Sequence, residues 1–132
     1  MKVSAKGRYA VRSVINLSLS INTQKSVREV ATQESISSDF LEKIFRSLKK
    51  GGIIKSIRGA HGGFTLNKQP GDITVLEVLE AIGEEFNPTP CASDKCGKEC
   101  DISYFWTMTR EYVTDFFSKI TIEDIIKREI KL

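Results

Sequence analysis

All three cysteines of this chain lie close together, at Cys91, Cys96 and Cys100. Thiolates bind metal ions and iron–sulfur clusters, and two neighbouring thiols can be oxidised to a disulfide. Because an odd number of cysteines cannot form a closed set of structural disulfides, we do not expect a covalent staple. A metal or cluster site and a redox switch both stay open. Zinc is disfavoured, since its structural sites usually use paired CxxC motifs that are missing from this sequence.

Composition restricts the class of protein that carries these thiols. Of the 132 residues, 40% are hydrophobic and 28% are charged, as in an ordinary single globular domain. The sequence has no apolar run of about 18 residues, so we expect no membrane span. The polar start at residues 1–8 lacks the apolar stretch of a signal peptide. These features predict a cytoplasmic protein, in which thiols stay reduced.

An enzymatic function is disfavoured by the residues available for chemistry. The chain has one histidine, His61, and no motif that pairs a nucleophile with a base. We therefore expect no catalytic residues.

The charges are divided unevenly between the two halves of the chain. Residues 1–71 carry 13 Lys and Arg against 4 Asp and Glu, a net charge of +9, whereas residues 72–132 carry 7 against 13, a net charge of −6. A basic half joined to an acidic half is typical of a nucleic-acid-binding head on a non-binding body. We therefore expect a DNA-binding head at 1–71, followed by a body at 72–132 that contains the cysteine loop at 87–100.

The first half has the element order of a winged helix-turn-helix. Apolar periodicity and capping signals predict helices and then short strands at residues 3–19, 26–34, 37–50, 53–56 and 64–66. A glycine-rich basic tip joins the two strands. The sequence therefore predicts a mainly α fold with a small β wing.

In a helix-turn-helix the second helix enters the major groove, and its outward residues reach bases and phosphates. The outward positions of the predicted helix include Ser37, Ser38, Asp39, Lys43 and Arg46. At the wing tip we expect Arg58 and His61 to contact DNA, because an arginine suits a narrow minor groove.

The second half contains a candidate dimerisation helix. After a short helix at 74–82 and the cysteine loop, apolar residues and one threonine follow a heptad-like spacing. The members of this seam are Ile102, Trp106, Thr109, Val113, Phe116 and Ile120, supplemented by Phe105, Tyr112 and Phe117. The seam predicts a homodimer interface, although a helix that packs only on its own domain is the alternative. A last helix is predicted at 122–129.

Three motifs carry a resemblance to a known family. They are SAKGRYA at 4–10, SSDFLEKIFRSL at 37–48 and the wing SIRGAHGGFTL at 56–66. Together with the cysteine loop and the long helix after it, they resemble the Rrf-type family of bacterial winged helix-turn-helix regulators, which includes the iron–sulfur regulator IscR and the nitric-oxide sensor NsrR. The resemblance implies a homodimer with crossed long helices. It also implies that Cys91, Cys96 and Cys100 hold an iron–sulfur cluster whose state sets DNA affinity.

Two departures from the family pattern concern the fourth cluster ligand and the spacing of the cysteines. The family uses a histidine three residues after the third cysteine or an aspartate near the N-terminus, and these positions are Ser103 and Arg8 here. The spacing of the cysteines is also tighter than in much of the family. Asp101, Glu99, Ser103, a partner-chain residue or a small exogenous ligand all stay open. We expect [2Fe–2S] in preference to [4Fe–4S].

The predicted function is a transcription regulator that binds double-stranded promoter DNA and responds to iron–sulfur status, redox state or nitric oxide. The alternative is a cluster-free repressor of the same fold, in which the thiols form a disulfide under oxidation. A protein-interaction module with a vestigial head is disfavoured by the basic wing.

Overall fold

Six α-helices, one short 3₁₀ helix (Pro70–Asp72) and a two-stranded antiparallel sheet form the regular secondary structure of the residues that the computed structural model describes, 2–20, 22–90 and 100–131. The elements are α1 (Ala5–Ser18), α2 (Val27–Glu34), α3 (Ser38–Lys50), β1 (Ile54–Ile57), β2 (Gly63–Leu66), α4 (Val75–Ala81), α5 (Ser103–Lys119) and α6 (Ile122–Lys127). The predicted mainly α winged helix-turn-helix with a long C-terminal helix is confirmed. Predicted and observed bounds differ by at most two residues.

Local capping explains where the helices begin. At α2 the Glu29 amide donates to Ser26 Oγ (3.1 Å) and the Ser26 amide donates to Glu29 Oε1 (3.3 Å), which is the predicted capping box. Thr74 and Thr121 begin α4 and α6 in the same way. After α3 the chain turns at Gly52, whose φ of +78° suits a residue without a side chain.

The wing is a short hairpin with one additional contact. Its register pairs Ile54 with Leu66 and Ile57 with Gly63. An isolated bridge joins Lys25, which lies just before α2, to Phe64 of β2. The hairpin is therefore paired on its β2 side with the helix-turn-helix.

One main core holds the helix-turn-helix, the wing and part of the second half together. Phe45 of α3 lies at its centre with 1% of its surface exposed and meets Phe64 edge-on, with 5.1 Å between ring centroids. Ile73, Val78 and Ile122 of the second half are buried in the same core. Residues from both sides of position 71 pack into this one core. The proposed division into head and body therefore describes the charge and the proposed role of the two halves, and not two separate cores.

A second, smaller core connects α4 to the long helix. Its buried members are Val75, Leu79, Phe86 and Ile120, and Phe117 of α5 packs against them.

No helix in the described ranges is long and apolar enough to cross a bilayer.

Candidate nucleic-acid interface and thiol site

Helix α3 has one buried face and one exposed polar face. Its buried residues are Leu41, Ile44, Phe45 and Leu48. Asp39, Lys43 and Arg46, spaced by four and three residues, lie on the opposite face and are exposed. Tyr9 of α1 packs edge-on against Phe40, with 5.8 Å between centroids, and so supports the first turn of α3. The burial of the apolar stripe therefore turns the predicted polar row to solvent.

The two serines at the start of α3 are exposed but differ in their local bonds. Ser37 is the N-cap, and its hydroxyl accepts a hydrogen bond from the Phe40 amide at 3.4 Å. Ser38 is the first residue of the helix. Both lie at the end of the helix from which a helix-turn-helix reads bases.

The wing tip brings the two other predicted contacts to the surface. Arg58 and His61 are both exposed, and Arg58 makes no ion pair with any residue in the described ranges. The tip turns through a hydrogen bond from the Gly62 amide to the Gly59 carbonyl (3.0 Å). Arg58 is therefore a solvated cation that is available to an anionic partner.

Of the three predicted metal ligands, the structure describes one. Cys100 is exposed and is not in a disulfide, whereas Cys91 and Cys96 lie outside the described residues. Ser103 donates through its hydroxyl to the Cys100 carbonyl (3.0 Å) and so supports the turn into α5. Across residues 2–20, 22–90 and 100–131, no group of three or more His, Cys, Asp or Glu residues could hold a metal.

The position of the family's N-terminal aspartate is held by a cation in this structure. The Arg8 guanidinium lies 5.9 Å from the centroid of the Tyr9 ring, on the exposed side of α1. A guanidinium has only donors, so it cannot replace a carboxylate ligand.

Helix α5 carries two neighbouring apolar stripes, and the predicted seam falls between them. Of the seam residues, Ile102 and Phe116 are exposed, Trp106 and Thr109 are half-buried, and Val113 packs against the second core. The exposed stripe is completed by Phe105 (48% exposed), Met108 (46%) and Tyr112 (72%). Met108 had no place in the predicted seam.

Ile120 lies in a different place from the one that the heptad predicted. Helix α5 ends at Lys119, and Ile120 is extended, 5% exposed and part of the second core. Its carbonyl accepts a hydrogen bond from the Val75 amide at 2.8 Å. Because the helix has already ended, helical spacing no longer determines which way this side chain points.

A polar contact joins the start of α1 to the segment that leads into the cysteine loop. The Ser4 amide and hydroxyl donate to the two carboxylate oxygens of Glu84, at 2.8 and 2.7 Å. Gly7, one turn into α1, leaves room for this contact, since a Cβ there would lie 3.3 Å from Glu84 Oε2. No motif or spacing in the sequence indicates this pair, whose members are 80 residues apart.

Comparison with known proteins identifies the family. A model of the Rrf2 family, described as iron-dependent transcriptional regulators, matches residues 3–128. The HTH-type transcriptional regulator IscR of Xenorhabdus nematophila is 32% identical over 98% of this chain and 81% of its own length. IscR of Klebsiella pneumoniae is 31% identical over 98% and 82%.

Solved structures agree with this assignment. The global cysteine regulator CymR of B. subtilis matches with a TM-score of 0.82 at 27% identity, over 98% of this chain and 99% of that one. T. potens IscR matches with a TM-score of 0.80 at 25% identity, over 100% and 93%. These relatives are transcriptional regulators and not enzymes. The chain therefore belongs to the Rrf2 family of transcriptional regulators.

Proposed function

We propose that this protein binds double-stranded promoter DNA as a homodimer in the cytoplasm, and that the state of its cysteine loop controls the binding. The observation that carries the DNA-binding part is the exposed row of Asp39, Lys43 and Arg46 on α3, in the same basic head as the exposed wing residues Arg58 and His61. In the proposed complex α3 enters the major groove. Ser37 and Ser38 lie at its leading end, and Arg58 enters the adjacent minor groove.

Dimerisation would bury the exposed stripe of α5. Phe105, Met108, Tyr112 and Phe116 follow each other at spacings of three, four and four residues and are each at least 42% exposed. A stripe of large apolar side chains on a long helix is typical of a protein–protein interface. At the far end of α5, the Lys119 ammonium donates a hydrogen bond to Asp115 Oδ2 at 2.8 Å, and this bond and the carboxylate charge raise the pKa of Lys119. A symmetric dimer would place two copies of α3 on two half-sites about one DNA turn apart.

We assign the cysteine loop to an iron–sulfur cluster, [2Fe–2S] in preference to [4Fe–4S], held by Cys91, Cys96 and Cys100. The exposed thiol of Cys100 and the iron dependence in the description of the family support this assignment. A bound cluster supplies an oxidation-sensitive iron centre whose potential depends on its ligands and surroundings. Asp101, which is exposed next to Cys100, and Ser103 are the described candidates for the fourth ligand.

The contact between Ser4 and Glu84 offers a route from the loop to the head. Glu84 precedes the loop, whereas Ser4 caps α1, the helix that supports α3 through Tyr9. A change in the loop can shift DNA affinity only if the two conformations that it favours bind DNA with different free energies. We propose that rearrangement of the loop changes the position of Glu84 and, through α1, that of α3.

A cluster-free thiol switch is the second candidate. The similarity to CymR, the global cysteine regulator, supports it, as does an exposed cysteine outside any disulfide. In this version two of the three thiols lose two electrons and two protons to an oxidant, such as a disulfide or a peroxide, and form a disulfide.

DNA binding can be tested with a site selected by the protein from a pool of random duplex DNA. Arg46→Ala should weaken binding to that site, whereas Lys127→Ala should not. The control removes an exposed lysine of α6 that pairs with Glu123 far along the chain from the head. Failure to enrich any site, or an equal loss in both variants, would refute the assignment of α3.

A further inference from the structure

The two residues just before Ser26, the N-cap of α2, form a strap along the wing. We define the strap as residues 24–25. The side-chain amide of Gln24 donates from Nε2 to the backbone carbonyl of His61 at the wing tip, at 2.6 Å. Lys25 exchanges two backbone hydrogen bonds with Phe64, at 3.0 and 2.7 Å. The strap thus contacts both the tip of the hairpin and its second strand.

The wing is shaped to let the strap approach closely. A Cβ on Gly63 would lie 2.6 Å from both the carbonyl carbon and the oxygen of Lys25, closer than such atoms approach in proteins. Glycine at this position therefore fits the close contact between the two backbones. The missing side chain at Gly63 makes room for this contact within the protein, in addition to any role that the glycines have in approaching DNA.

The other side of the strap is fixed to the helix-turn-helix. The Lys25 ammonium donates to Asn16 Oδ1 of α1 (2.8 Å) and to Gln33 Oε1 of α2 (3.0 Å). Asn16 Nδ2 also donates to Gln33 Oε1 at 3.1 Å. The strap therefore connects two helices of the head to the wing.

Among the residues that the structure describes, the hydrogen bond from Gln24 is the one side-chain hydrogen bond that joins the wing tip to a residue outside the hairpin. Within the described residues, no other side chain beyond the wing donates to the backbone of residues 58–62. A loop that is already held in its bound position loses less conformational entropy when it meets a partner. Arg58 and His61 lie in this restrained tip.

From these contacts we infer that Gln24 is a positioning residue for the wing: it holds the tip so that Arg58 reaches the DNA. The inference rests on the proposed DNA-binding function and adds a residue that contacts no DNA itself. Its effect on DNA affinity passes through the tip residues, chiefly Arg58 and also His61.

The test replaces Gln24 with methionine, which has a similar length and no hydrogen-bond donor. One neutral hydrogen bond corresponds to a change of about 2-fold to 12-fold in affinity, so Gln24→Met should weaken binding to the selected DNA site by that factor. The dependence of affinity on salt should stay the same, because the change removes no charge. Gln69→Met is the matched control, since Gln69 is an exposed glutamine whose side chain caps nothing.

A double-mutant cycle separates positioning of Arg58 from general damage. In an Arg58→Ala background Gln24→Met should have a smaller effect on binding, because one of the two tip residues through which it acts is gone. Unchanged binding by Gln24→Met alone, or an undiminished loss in the Arg58→Ala background, would overturn the inference. Failure of the unmodified protein to select any DNA site would instead refute the proposed function.

Discussion

Truncating one aromatic side chain of the exposed stripe on α5 should weaken the dimer without weakening the fold. Phe105 is the residue of choice, because it is 48% exposed and no residue of α5 is fully buried. Alanine favours a helix at least as well as phenylalanine, so Phe105→Ala should leave α5 intact.

The size of the effect follows from the exposed fraction. Complete burial of a phenylalanine side chain is worth about 1.5–3 kcal/mol, so covering the 48% that is exposed is worth about half of that per copy. A symmetric dimer contains two copies, which gives about 1.5–3 kcal/mol in total. The dimer dissociation constant should therefore rise by about 10-fold to 150-fold.

Sedimentation equilibrium over a range of protein concentrations measures this constant directly. Leu19→Ala is the matched control, because Leu19 is 69% exposed but lies at the end of α1. It should leave the dimer constant unchanged. Thermal unfolding of both variants checks that the monomer fold is intact.

Two results would contradict the assignment of the exposed stripe of α5 to the dimer interface. An unchanged dimer constant in Phe105→Ala would mean that the stripe is not the interface. An equal weakening by Leu19→Ala would mean that the loss reflects exposed apolar surface in general.

Three further predictions concern the wing, the loop and the core. Arg58→Ala should weaken DNA binding in every state of the loop and lower the slope of affinity against salt by about 1, measured by fluorescence anisotropy; an unchanged affinity would remove the wing from the interface. Cys96→Ala should give a folded dimer that purifies without iron, and a full iron load in elemental analysis would contradict the three-cysteine site. Phe45→Ala should lower the free energy of unfolding by about 3–5 kcal/mol in urea titrations, since the ring is 1% exposed; a loss far below that range would contradict its central place in the core.

Signals within a few residues of each other made most of the fold predictable. Ser26 and Glu29 form a capping box because their positions in the chain already place them within reach. The stripe of α3 has a single apolar face, so its helical spacing also indicated which residues are outward. The predicted exposure of Lys43 and Arg46 followed from that face.

The orientation of α5 could not be read from spacing in the same way. The helix packs on α4 through Val113 and Phe117 and leaves Phe105 and Tyr112 exposed on an adjacent stripe. A heptad search joins members of both stripes, because the two stripes lie only about a third of a turn apart on the helix. Only the packing of α4 against α5 separates them.

Contacts between distant residues left no sequence signal. Gln24 and His61 are 37 residues apart, and Ser4 and Glu84 are 80 apart. Each pair consists of common polar residues in positions where a solvated side chain would be ordinary. Their proximity depends on the packing of whole helices and on the wing.

Control of DNA binding by the cysteine loop is the feature on which the proposed function depends. The most direct measurement is the affinity of the anaerobically purified protein for its selected DNA site, with iron and sulfide measured on the same sample. It is repeated after removal of the iron and with Cys96→Ala. We expect a coloured protein with matching amounts of iron and sulfide. Its affinity for DNA should change when the iron is removed, and the iron-free protein should bind DNA with the same affinity as Cys96→Ala. The same affinity in all three samples, whatever their iron and sulfide content, would contradict this expectation.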